Sequence, residues 1–185
     1  MGVNGLNFLG FLVGRRPLSV LLLGSLLLLL PVVASAIDKG QPAPDFTLQD
    51  LDGQAFTLSA FKGRVVLLKL ATTWCPSCKQ LSSEIEELGP YLKEKGVVFL
   101  DVYLQDTPAM VRKSLAGRNA VVEAHTLLDD GQAHAAYNVY VIPRLLIIDP
   151  QMQVAYDSLG QLISGPRIKA LVENLLAPAA AKPAG

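Results

Sequence analysis

The hydrophobic and polar positions fall into a Leu-rich block at 18–33, then short apolar runs broken by turn residues and by segments of helical spacing. After the first block, the prolines of Gly40-Gln41-Pro42-Ala43-Pro44-Asp45 favour extended backbone, and 46–49 alternates as a strand does. Asp52-Gly53 supplies hairpin-turn chemistry with 55–58 as the return strand, so a β-hairpin is expected in front of the main fold. In 65–71 both alternation sets are apolar except for Lys69, the signature of a central strand covered on both faces. Pro76 suits a first helical turn, and Leu81, Ile85, Leu88 and Leu92 recur at helical spacing, predicting one helix that runs to 95–96. A second buried strand is expected at 97–103, and Thr107-Pro108 opens a short helix to about Leu115. A short strand at 124–128 and a helix opened by Asp129-Asp130-Gly131 and ended by Asn138 come next. An antiparallel pair at 145–149 and 154–157 and a helix from Ser164-Gly165-Pro166, with Ile168, Leu171, Val172 and Leu175 on one face, close the chain. Strand alternating with helix implies an α/β domain with parallel strands.

Composition adds limits. The 185 residues suit one domain plus appendages, and 16 basic against 16 acidic groups give no electrostatic reason to expect nucleic acid. Arg15-Arg16 before the Leu-rich block, and Ala34-Ser35-Ala36 after it, have the three-part layout of an export signal, with cleavage expected after Ala36. The alternative is an uncleaved membrane anchor, because the block approaches the roughly 20 residues that span a bilayer. Either reading places the domain outside the cytoplasm. The Ala- and Pro-rich stretch 177–185 reads as a disordered tail.

The chemistry centres on Trp74-Cys75-Pro76-Ser77-Cys78, which contains both cysteines of the chain. A thiol at a helix N-terminus lies beside free N–H groups and the positive end of the helix dipole, which lowers its pKa. Cys75 is therefore the expected nucleophile and Cys78, one turn on, the resolving thiol. A zinc site would need about four ligands, whereas His125 and His134 lie far from the pair and are read as ordinary structural residues. An inert disulfide closing so short a loop would stabilise little, so redox chemistry is the reading adopted, with no metal and no cofactor.

The segments Gly40-Gln41-Pro42-Ala43-Pro44-Asp45-Phe46, Trp74-Cys75-Pro76-Ser77-Cys78-Lys79 and Tyr137-Asn138-Val139 running into Val141-Ile142-Pro143 resemble the thioredoxin superfamily, specifically its exported TlpA/ResA-like thiol-disulfide oxidoreductases. The resemblance spans about 40–176 and implies a thioredoxin-like fold: a central mixed β-sheet flanked by helices, with an N-terminal β-hairpin extension. It also implies a cis Ile142-Pro143 peptide beside the disulfide that offers the Ile142 backbone to substrate. Trp74, Pro76, Ile142 and Pro143 are the expected substrate-binding residues; a plain core role stays open for Trp74. Arg144 could neutralise a substrate or end a strand in solvent.

Three positions depart from relatives. Lys69 stands where an acid or Asn is common; as a buried ammonium it would tune the thiols, and as a snorkelling side chain it would reach the sheet's end. Leu81 and Ser83 replace the Glu and Pro usual after the second cysteine, which argues against a role in cytochrome maturation. Thr72 stands three before Cys75 as in peroxiredoxins, yet Leu68 replaces their proline. The expected function is reduction of protein disulfides through Cys75 and Cys78, with protein thiols or disulfides as substrates and a membrane electron-donor protein as partner. Peroxide reduction, or metal carriage of the Sco-like kind, are the alternatives. The expected organisation is leader or anchor at 1–36, a thioredoxin-like domain at 37–176 and the tail.

Overall fold

The computed structural model describes residues 37–117 and 124–177. The leader at 1–36 and, apart from Ala177, the tail lie outside the described residues. The elements are β1 (Thr47–Asp50), β2 (Ala55–Thr57), a 3-10 turn (Leu58–Phe61), β3 (Val66–Ala71), α1 (Pro76–Glu87), α2 (Gly89–Glu94), β4 (Val98–Tyr103), α3 (Pro108–Leu115), β5 (Ala124–Leu128), α4 (Gln132–Ala136), β6 (Arg144–Ile148), β7 (Val154–Asp157) and α5 (Gly165–Leu176).

All seven strands form one sheet in the order β2-β1-β5-β4-β3-β6-β7. The β3–β4 and β4–β5 pairs are parallel, and the four remaining pairings are antiparallel. The sheet is thus mixed, as a thioredoxin-like fold requires. Successive residues of a strand point to opposite faces, so β3 and β4, buried at every position, feed two cores. Val66, Leu68, Leu70, Val98, Leu100 and Val102 pack with Leu48, Ala133 and Tyr137 on one face. Leu67 and Phe99 pack with Leu81 and Ile85 of α1 and Ile168 and Val172 of α5 on the other. Lys69 and Asp101 share the alternation of Leu67 and Phe99, so they lie on the α1 side.

One element differs from the sequence expectation. The expected single helix breaks into α1 and α2, because Pro90 occupies the first turn of α2 and cannot donate to a continuing helix. The apolar spacing hides this break, since Leu92 of α2 still packs in the core that holds Leu81 and Ile85. The expected N-terminal hairpin is present as β1 and β2, and β1 also pairs with β5, with Gln49 opposite Leu128, so that the hairpin extends the sheet. Leu48, 1% exposed, and Phe46 bury against that core, so the hairpin supplies wall as well as edge.

Candidate active site

The site lies where β3 ends and α1 begins. Cys75 is the N-cap of α1, in extended backbone (φ −82°, ψ 119°), and Pro76 fills the first helical turn, where no N–H is needed. The Cys78 N–H donates to Cys75 Sγ at 3.2 Å, and Ser77 Oγ lies 3.3 Å from the same sulfur. No acidic side chain occupies the first turn of α1, so nothing there opposes the positive end of the helix. Cys75 and Cys78 form a disulfide with Cα atoms 5.2 Å apart. Both are buried, at 5% and 2% exposure, and pack with Ala71 and the half-buried Ile142. Trp74, in contrast, is 63% exposed, which removes the core-aromatic reading.

Sequence-distant residues complete the surroundings. The Ile142-Pro143 peptide is cis, and Ile142 meets the cysteines, as the resemblance implies. Both Asp106 carboxylate oxygens are spent on Thr73: Oδ2 accepts its N–H and Oδ1 its hydroxyl, each at 2.7 Å. The turn before Trp74 is thereby fixed to the loop after β4. Thr72 Oγ1 is buried with no partner among the described residues.

Lys69 does not snorkel. It is 1% exposed, and its Nζ donates to Ser82 Oγ at 2.6 Å and stands 2.7 Å from Asp101 Oδ1. The latter is an ion-pair contact, not an aligned hydrogen bond. Lys69 and Asp101 are register partners in the parallel β3–β4 ladder, which is why two isolated charges in apolar strands meet. Tyr103 donates to Asp101 Oδ2 at 3.1 Å, and Ser82 Oγ donates in turn to the Cys78 carbonyl at 3.1 Å. Lys69, Thr72, Cys78, Ser82 and Tyr103 all line one small cavity of about 10 Å³, room for one water at most. Lys69, the cationic member of the pair, therefore shares a chamber with Cys78. Asp101, Ser82 and Asp106 were not singled out from the sequence; the available signal for Asp101 was one acid in the otherwise apolar run 97–103.

Arg144 neither ends a strand in solvent nor awaits a substrate charge: it is 7% exposed and paired to Asp157. His125, in β5, stacks on Phe56 and Phe61, with ring centroids 4.5 and 5.2 Å away. His134 lies in α4. Tyr137 is fully buried and donates its hydroxyl to the Pro44 carbonyl at 2.9 Å, tying the N-terminal segment to the loop before Pro143. Burial, with the Asp45 carboxylate adding to it, holds this phenol far above its ordinary range, so it stays a neutral donor.

Comparison with known proteins agrees with this geometry. The AhpC/TSA family model matches residues 39–157. The thiol-disulfide oxidoreductase ResA of Geobacillus kaustophilus is 32% identical over 142 residues, covering 77% of this chain and 78% of the relative. ResA of Bacillus subtilis is 27% identical with the same coverage of each chain. Among solved structures, a Bacteroides vulgatus protein described as a thiol-disulfide oxidoreductase is 30% identical, with a TM-score of 0.67 over 77% of this chain and all of that one. A Chlorobium tepidum protein described as a DsbE thiol:disulfide interchange protein is 26% identical, with a TM-score of 0.66 over 76% of this chain and 99% of that one. The chain belongs to the AhpC/TSA family of thioredoxin-like proteins, and within it to the thiol-disulfide oxidoreductases.

Proposed function

We propose that the protein reduces protein disulfides outside the cytoplasm by dithiol exchange at Cys75 and Cys78. The observation that carries this reading is the placement of Cys75: N-cap of α1, its sulfur facing a helix N–H, beside an Ile142 main chain that has no hydrogen-bond partner among the described residues. In the reduced protein the Cys75 thiolate attacks one sulfur of a substrate disulfide, forming a mixed disulfide and expelling the other sulfur as thiolate. Cys78 then loses its proton and attacks Cys75 Sγ, which releases the second substrate thiolate and closes the Cys75–Cys78 disulfide. Two electrons pass to the substrate, and both its sulfurs leave as thiols once protonated.

Lys69 favours the thiolate forms through its charge, moderated by Asp101, while the polar chamber gives the Cys78 proton somewhere to go. Trp74 and Pro76, both exposed, flank Cys75, and Ile142-Pro143 forms the opposite lip where a substrate strand would pair. An oxidising compartment does not return the disulfide to the dithiol, so an electron donor in the membrane recharges the site. The leader-like 1–36 segment supports export, by cleavage or as a tether to the membrane. Among the described residues no helix is long and apolar enough to cross a membrane.

Cysteine variants test the reading on insulin disulfides with dithiothreitol as donor. Cys75→Ser is predicted to abolish turnover, and Cys78→Ser to accumulate a mixed disulfide through Cys75 that gel electrophoresis resolves. Accumulation through Cys78 in Cys75→Ser would reverse the assigned roles. A second reading, peroxide reduction by Cys75, draws on the AhpC/TSA match and the unpartnered Thr72 hydroxyl. Hydrogen peroxide turnover lost in Cys75→Ser, with insulin left intact by the wild type, would favour it.

A further inference from the structure

The segment 139–143 carries no regular secondary structure, yet it forms the lip opposite Cys75. Tyr140 is 87% exposed and Val141 57%, so little side-chain burial holds them. Among the described residues no main-chain hydrogen bond engages Tyr140, Val141 or Ile142. A strip with so few ties would sample many conformations, and ordering it on binding would oppose docking.

What ties it down is Arg144, the first residue of β6. Its Nη1 donates to the carbonyls of Tyr137 and Asn138, at the root of the segment. Its Nε donates to both oxygens of Asp157, at 3.0 and 3.1 Å, and Nη2 donates to Oδ2. Asn138 is held there in left-handed backbone, with φ 48°. Asp157 reaches the far side as well: its Oδ1 accepts the Leu159 N–H at 2.9 Å, setting the turn that brings Gly160 onto Val141. That approach is so close that a Cβ on Gly160 would stand 2.5 Å from Val141 Cγ1. One buried ion pair thus braces the segment twice, at 137–138 directly and at Val141 through 157–160. Only a guanidinium can serve a carboxylate and two carbonyls in one plane; an ammonium has no such fork.

We propose that Arg144 and Asp157 are positioning residues for the reaction, holding the 139–142 main chain in the pose that receives the partner polypeptide beside Cys75. This rests on the disulfide-reductase reading and adds to it the part that sets protein-substrate affinity. Neither residue touches the sulfurs.

The test has two arms on Arg144→Lys and on Gly160→Ala, which strains the left-handed turn at Gly160 and displaces Val141 while keeping both side chains of the ion pair. In 15N relaxation of the oxidised protein, order parameters of the 139–142 amides are expected to fall from about 0.85 to below about 0.6, with β3 and β4 unchanged. In kinetics, KM for insulin is expected to rise by about tenfold with kcat changed far less, and kcat/KM for the small disulfide dithiobis(nitrobenzoate) to fall several-fold less than that for insulin. Equal losses on both disulfides, or a kcat effect alone, overturn the proposal. Unchanged order parameters overturn it whether or not insulin is a substrate. Failure of the wild type to reduce insulin contradicts instead the function proposed above, and the relaxation arm still decides whether Arg144 braces the segment.

Discussion

At the scale of single residues, the Lys69–Asp101 pair is the least expected feature and the most consequential. Each charge alone would be costly in a strand buried on both faces, and together they are tolerated because Ser82 and Tyr103 satisfy further donors and acceptors. Removing one partner strands the other. Lys69→Met is predicted to lower unfolding free energy by about 3–5 kcal/mol, and Lys69→Met combined with Asp101→Leu to recover most of the loss. Urea unfolding of the two variants measures both quantities, and a loss under about 1 kcal/mol in the single variant contradicts a buried pair. In Lys69→Met the Asp101 carboxylate would also face the thiols without its cation. The pH midpoint of Cys75 alkylation should then move upward, and an unchanged midpoint would remove Lys69 from the tuning role.

At the scale of elements, the hairpin decides how the sheet ends. Because β1 pairs with β5 and Leu48 packs beside Leu127, the hairpin belongs to the cooperative core. Leu48→Ala is predicted to lower the stability of the whole domain by about 2–5 kcal/mol in a single transition. A separate early transition in thermal unfolding, with the main midpoint unmoved, would return the hairpin to a peripheral add-on. The same elements show what a sequence can disclose. The run 65–71, the cap-and-proline starts of α1 and α3 and the placement of Cys75 at the start of α1 were legible, because each follows from local periodicity or backbone chemistry. The break at Pro90 was masked, since both helices present Leu to one core. The partners of Lys69 and Arg144 were not legible at all. Asp101 meets Lys69 through strand register and Asp157 meets Arg144 across a hairpin, and neither distance is encoded in spacing along the chain.

At the scale of the molecule, one mixed sheet carries two cores and concentrates its chemistry at one end, where β3 gives way to α1 and the segment before β6 turns back over the disulfide. On the proposed function, with the leader-like 1–36 segment read as an export signal, the protein is a reductant working where thiols are otherwise oxidised. Such a role demands a couple whose disulfide is the more stable form, so that electrons pass to the substrate. Equilibration of the Cys75–Cys78 pair with dithiothreitol or glutathione buffers, read by thiol alkylation, measures this directly. A disulfide reductase at this site is predicted to have a reduction potential at or below about −200 mV, in the range of reducing thioredoxin-like proteins, whereas a value near about −120 mV, that of strong oxidants, would contradict that role.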